Sequence, residues 1–269
     1  MGEGRDGEVT PTRPFVVPAP AGVRRLRLEL AYDGAPFSGF ARQPGRLTVQ
    51  GELEAALERL AGVPVATVGA GRTDTGVHAR GQVVHADLPA GARRLDPERV
   101  RQSLNTQLGP AVVVAAVAWA EPGFDARFGA TARVYAYRID DGPAPDPLAR
   151  GHVLAWRRRL DVDLMLAAAA PLVGEHDFAS FCRARAGAST VRRVLAIDVG
   201  RDGDLVTVRL RATAFCHQMV RSVVGLLVEV GEGRRDPAAV PAVLAARDRG
   251  RTGFIAPPHG LVLEAVEYG

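Results

Sequence analysis

From Val23 onward, apolar and polar positions alternate: Leu26, Leu28 and Leu30 fall on every second residue, the period of a strand with one buried face. The period then changes. Thr48 offers an N-cap for a helix carrying Leu53, Ala56, Leu57 and Leu60 on one side, stopped by Gly62 and Pro64. A short strand over Val65–Val68 leads into a glycine-rich loop, and Gly81–Leu88 returns to strand. Asp96-Pro97 joins a capping carboxylate to proline at the first helical position and opens a helix with Val100 and Leu104 inward. The apolar run Ala111–Ala120 is predicted as a buried strand. The order is β-α-β-β-α-β, the split βαβ or ferredoxin-like arrangement.

The second half repeats that order loosely. Thr131–Asp140 alternates, with Tyr135, Tyr137 and Ile139 on one face, and Asp161–Val173 is an alanine-rich helix. Val194–Gly200 and Leu205–Ala212 flank Arg-Asp-Gly-Asp, a hairpin signal. His217–Val230 is an apolar helix, Asp236-Pro237 starts another, and Leu261–Val266 is the last strand. The expectation is an α+β protein of two ferredoxin-like halves, with mostly antiparallel sheets forming a central cleft. Residues 1–22, rich in Gly, Pro and charge without periodicity, are predicted as a disordered tail. The N-terminal half is taken as 23–125 and the C-terminal half as 126–269.

Composition adds bounds rather than an answer. With 269 residues, 47% hydrophobic and 24% charged, the chain has the profile of a soluble globular protein large enough for two cores. All 34 Lys+Arg positions are arginine, which a GC-rich genome explains and which also suits bidentate phosphate binding. A net charge of +4 and a pI near 9.6 are compatible with a polyanionic partner. Cys182 and Cys216 lie far apart and form no Cys-x-x-Cys pair, which argues against a zinc site or disulfide scaffold and fits a reducing interior. The six histidines, His78 and His85 included, show no ligand spacing, so no metal is expected. No apolar run reaches membrane-spanning length and no signal-peptide core opens the chain, so a cytoplasmic protein is expected.

Residues 69–79 read Gly-Ala-Gly-Arg-Thr-Asp-Thr-Gly-Val-His-Ala, and the chemistry centres on Asp74. Arg72, two residues away, favours the ionised acid, which suits a nucleophile or electrostatic stabiliser better than a proton donor. Three other readings compete. Gly69-x-Gly71 hints at a dinucleotide loop, but Asp74 stands where its third glycine belongs. Asp74-Thr75-Gly76 is the tripeptide of aspartic proteases, yet only one copy exists, and those enzymes need two carboxylates sharing a proton. Asp74 as a plain turn cap between glycines is the third.

The same string, continued by Gly81-Gln82-Val83, closely resembles the catalytic signature of the TruA family of tRNA pseudouridine synthases. Tyr32-Asp33-Gly34 with Gly39-Phe40 is similar to that family's first strand and turn, with Phe40 where Trp is more usual. Val49-Gln50 resembles its helix start and Ser103-Leu104-Asn105 its second helix. Phe124-Asp125-Ala126-Arg127-Phe128 and Arg133-Val134-Tyr135-Ala136-Tyr137 resemble its tyrosine region, Phe178-Ala179-Ser180-Phe181 its Phe-x-Ser-Phe element. Phe215-Cys216-His217-Gln218-Met219-Val220-Arg221 resembles its basic helix start, with Gln218 where a second His is common. Ala256-Pro257-Pro258-His259-Gly260-Leu261 resembles its C-terminal segment.

The resemblance implies a cofactor-independent isomerase that turns uridine into pseudouridine at tRNA positions 38, 39 and 40, in the anticodon stem-loop, working as a homodimer. It implies Asp74 as the essential catalytic carboxylate, Arg221 as its partner, and Tyr135 against the flipped base. Arg72, His78 and Leu261 join Tyr135 as substrate-binding residues, and His217 supports the loop, touches RNA or caps a helix. Base flipping costs about a few kcal/mol and requires a basic grip on the backbone. Arg157, Arg158, Arg159, Arg183, Arg185, Arg192 and Arg193 are candidates for that grip, although each singly is as readily a solvated charge. A non-catalytic tRNA-binding or chaperone protein on the same fold is the alternative. It has no need of Asp74, Tyr135 and Arg221 together.

Overall fold

Ten strands join into one sheet. The computed structural model describes residues 19–20, 22–89, 95–183 and 187–269, so residues 1–18 and 21 of the expected tail, and Arg185, lie outside the described residues. In chain order the elements are β1 (Val23–Tyr32), α1 (Val49–Ala61), β2 (Thr67–Gly69), β3 (His78–Pro89), α2 (Pro97–Leu108), β4 (Val112–Trp119), β5 (Ala130–Asp140), β6 (Leu154–Ala155), α3 (Val162–Ala169), β7 (Gly174–Asp177), β8 (Val191–Asp202), β9 (Leu205–Ala212), α4 (Met219–Gly231), α5 (Val240–Ala246) and β10 (Leu261–Tyr268). The strands lie in the order β4-β1-β3-β10-β5-β9-β8-β7, with β2 added to β3 and β6 to β5. The strand ladders are antiparallel except β3–β10 and β5–β6. This is a mixed α+β fold with a large, mostly antiparallel sheet.

Local chemistry accounts for the long elements. Leu26, Leu28 and Leu30 are fully buried, each contributing about 2 kcal/mol by leaving water. Thr48 caps α1 by accepting from the Gly51 N–H, and Gly62 ends it in the left-handed conformation at φ 71°. Asp96 and Asp161 cap α2 and α3 through the Arg99 and Leu164 N–H groups. Thr48→Ala should lower stability by about 1 kcal/mol, read as a shift in the urea unfolding midpoint. α4 is buried along almost its whole length, and a Cβ on Gly225 would overlap the Phe254 carbonyl. The 254–256 backbone therefore packs directly against this helix.

Three expectations need correction. The 111–120 run is not a buried strand: Val112 and Val114 lie on the face of β4 that joins the core with Val100 and Leu104 of α2, while Val113, on the opposite face, is 44% exposed. His217 is not helical, because Gln218 takes φ 66° and α4 begins only at Met219. Cys182 and Cys216, 34 residues apart in sequence, form a disulfide with Cα atoms 5.8 Å apart. The argument from isolated cysteines fails because folding, not spacing, sets which thiols meet. β6 and β7 were not foreseen; two and four residues are too few to show a period.

Candidate active site

β3 has β1 along one edge, whereas its other edge is divided between two strands. β2 pairs with it at residues 84–86 and β10 at residues 78–79. From the end of β2 the chain loops over residues 70–77 before entering β3, at the seam where β10 from the C-terminus joins the first strands. Glycines let backbone crowd backbone here. A Cβ on Gly34 would overlap the Val77 carbonyl, and Gly76, at φ 76°, closes a turn in which the Val77 N–H donates to the Asp74 carbonyl at 3.1 Å. A cleft of about 500 Å³ opens on this loop.

The cleft's charge is one-sided. Among the described residues its lining includes Arg72, Arg127, Arg133, Arg183, Arg192, Arg221 and His217, and a single acid, Asp74. Asp74 Oδ1 lies 3.3 Å from His217 Nε2, and Oδ2 lies 3.8 Å from an Arg221 guanidinium nitrogen. Arg221 is itself aimed by donating from Nε to the Ala256 carbonyl at 2.7 Å, while the Ala256 N–H returns a bond to the Arg221 carbonyl. Burial lowers the Arg221 pKa, and Asp74 pushes it back up. The carboxylate thus stands between an imidazole and a guanidinium, both from the segment that opens α4.

The loop is held from behind. Arg133, buried on β5, donates from Nε and Nη2 to the Ala70 carbonyl (3.2 and 2.9 Å), and to the carbonyls of Thr213 (2.7 Å), Arg127 (2.6 Å) and Ala130 (3.2 Å). Gln82 brackets Gly71, accepting from its N–H at 3.3 Å and donating to its carbonyl at 2.8 Å. Tyr32 and Thr73 share a hydroxyl contact of 2.7 Å. Tyr135 packs edge-on against Phe215, centroids 5.2 Å apart. Burial, helped by neighbouring Tyr32 and Asp74, pushes its hydroxyl far above the ordinary tyrosine range, so it stays a neutral phenol. Tyr137 is core, its hydroxyl donating to the Pro257 carbonyl at 2.9 Å, as its place in the strand suggested.

A family model described as tRNA pseudouridine synthase matches residues 30–129 and 168–269. The chain belongs to the tRNA pseudouridine synthase family. It is 53% identical over 250 residues to a tRNA pseudouridine synthase A from Frankia casuarinae, covering 92% of this chain and 90% of that one. A protein of the same name from Streptomyces griseus is 48% identical over 256 residues, with 93% and 90% covered. One from Brevibacillus brevis is 46% identical over 247 residues, with 91% and 100% covered. Among solved structures, an H/ACA RNP bound to a substrate RNA containing 2'-deoxyuridine aligns with 76% of this chain and 44% of that one, at 15% identity and a TM-score of 0.33.

Within this pseudouridine synthase, Asp74, Tyr135, Arg221, Arg72 and Leu261 all line one cleft. Arg72 does not hold Asp74: its side chain is exposed, and among the described residues no ion pair joins them. The side chains that meet Asp74 are instead those of His217 and Arg221. His78 is not part of the lining. Buried at the start of β3, it accepts from the Gly34 N–H at 3.0 Å and faces the Gly151 and His259 carbonyls with Nε2 at 2.9 and 3.1 Å. That makes it a clamp behind the loop. Asp33 and His152 complete a group whose ligand atoms lie within 4.8 Å of one another, which spacing along the chain did not foretell. The His78 lone pair at Nδ1 is already taken by Gly34. Of the other arginines, Arg158 pairs with Glu232 and Arg159 with Asp141 and Asp204, whereas Arg183 and Arg192 do line the cleft.

The sequence reading overlooked Arg133 and left His217 between three roles. Arg133 had one usable signal: two residues before Tyr135 on a strand, it shares the tyrosine's face. Burial holds His78, His85 and His259 below the ordinary histidine value of 6.5. The unfolded chain therefore binds more protons than the folded one just below that pH, and stability falls as pH drops. Thermal melts should show a lower midpoint at about pH 5.5 than at about pH 7; a flat profile would mean these rings are not kept neutral by the fold.

Proposed function

We propose that the chain converts uridine to pseudouridine at positions 38, 39 and 40 of the tRNA anticodon stem-loop, with Asp74 as the essential carboxylate. One observation carries this reading: the sole acid of the described cleft lining stands among six arginines and a histidine, beside the buried ring of Tyr135 and the side chain of Leu261. Such a cleft attracts a polyanion, and its apolar wall suits a nucleobase taken out of its stack. The reaction breaks N1–C1′ of the target nucleoside, turns the uracil and joins C5 to C1′. C5 loses a proton and N1 ends protonated, so atoms and electrons balance within the nucleoside. Asp74 attacks the sugar covalently, or stabilises or deprotonates it on the way to a glycal-like intermediate that takes the proton back when C5 joins C1′. The neutral phenol of Tyr135 favours stacking and hydrogen bonding to uracil over service as a phenolate base.

Two ferredoxin-like halves, 23–125 and 126–269, are part of the proposal. The strand order supports them: β4-β1-β3-β2 in the first half recurs as β10-β5-β9-β8 in the second, each taken from the same places in a β-α-β-β-α-β series if the short β6 and β7 are set aside. The active cleft then lies where the halves share the edge of β3. A homodimer and a cytoplasmic location follow from the family likeness, and sedimentation at micromolar concentration checks the first. No helix among the described residues is long and apolar enough to cross a membrane.

The test is direct. The purified protein is incubated with unmodified tRNA and pseudouridine is mapped by position. The expected product is pseudouridine at 38, 39 or 40 wherever uridine stands there; its absence from every such tRNA would sink the reading.

A further inference from the structure

Arg192 sits on β8 with its side chain in the cleft wall. Among the described residues no carboxylate pairs with it; the guanidinium makes one hydrogen bond, from Nη1 to the Val191 carbonyl at 2.6 Å. Its Nε–H is buried without an acceptor. This separates it from Arg133, whose guanidinium is spent on backbone carbonyls, and from Arg221, which faces Asp74. It also differs from Arg193, the next residue along the strand, which is exposed and does not line the cleft.

A half-buried cation with an idle donor is costly unless something supplies the missing anion. Desolvation lowers the Arg192 pKa with no offsetting acid. The cleft offers only Asp74, which is already flanked by His217 and Arg221. The remaining source is the ligand. We infer that Arg192 is a substrate-positioning residue that receives a backbone phosphate of the tRNA strand next to the flipped uridine, through the Nη hydrogens that the Val191 carbonyl does not take. A phosphodiester presents two unesterified oxygens in one plane, which matches the arginine fork and not an ammonium. The inference rests on the tRNA reading proposed above.

The experiment measures tRNA affinity against salt for wild type, Arg192→Gln and Arg59→Gln. Arg59 removes the same charge from an exposed site on α1, where it bonds Gln107 outside the cleft. Loss of one phosphate contact should weaken binding by about tenfold and reduce the slope of log affinity against log salt by about 0.7 to 0.9. Arg59→Gln should leave the slope unchanged. A wild-type slope and affinity in Arg192→Gln overturn the inference. If that variant melts below the assay temperature, Arg192→Lys decides: weaker binding with the slope kept supports it, and wild-type affinity overturns it. A wild type that makes no pseudouridine instead fails the functional reading, whereas an active wild type with an unchanged Arg192→Gln slope fails this inference alone.

Discussion

Asp74→Ala should abolish pseudouridine formation, with a drop of at least about 10⁴-fold, while tRNA binding and the melting temperature stay near wild type. Every decade of rate is about 1.36 kcal/mol of transition-state stabilisation, so a loss of this size means an interaction made chiefly with the reacting sugar and base. The side chain is partly exposed at the cleft, and the turn around it is closed by the backbone bond from Val77. Removing the carboxylate takes a negative charge from beside Arg221, which should hold or tighten the grip on an anionic strand. Single-turnover assays together with filter binding separate the outcomes. Full activity in Asp74→Ala would remove its catalytic assignment while the tRNA activity stood. Lost binding with a lowered melting temperature would mark it as structural.

Arg133→Met should cost about 3 kcal/mol or more of folding stability and depress activity with it, as measured by urea unfolding and by product formation. The guanidinium serves four carbonyls, those of Ala70, Arg127, Ala130 and Thr213. Methionine fills part of the volume and leaves those buried or partly buried acceptors without their donors. The Ala70 carbonyl belongs to the loop bearing Asp74, and Thr213 precedes the segment bearing His217, so one side chain ties the two segments together. Lysine should not rescue it, because a single ammonium cannot span four acceptors lying on separate segments. Wild-type stability in Arg133→Met would show that the carbonyls find other donors and that the clamp is dispensable.

The legible parts were those with a local cause. Thr48, Asp96 and Gly62 act as helix boundaries because capping is settled within four residues. The Leu26–Leu28–Leu30 alternation and the Arg201–Asp204 hairpin are likewise short-range, and the Asp74 loop was found by its residues alone. Errors came where the cause lay far off in the chain. Val113 faces solvent because it lies on the face of β4 opposite buried Val112 and Val114, and which face a helix covers is a fact about packing. Arg72 was read as favouring the ionised Asp74 from sequence proximity, yet a loop can point neighbouring side chains apart, and the side chains that meet the acid are those of His217 and Arg221.

By itself the chain's sequence determined the kind of chemistry and the elements: an acid in a glycine loop, a strand tyrosine, a basic turn before an apolar helix, and a period that switches between strand and helix. Tertiary structure decided which of these meet. β10 inserts between β3 and β5, and so brings Leu261, Tyr135 and the loop to one seam. The same folding carries His217 to 3.3 Å from Asp74, buries His78 away from the cleft and joins two cysteines that spacing had kept apart. The physical reason is range: capping and periodicity act over a few residues, whereas strand insertion and the pairing of buried charge couple residues more than a hundred positions apart.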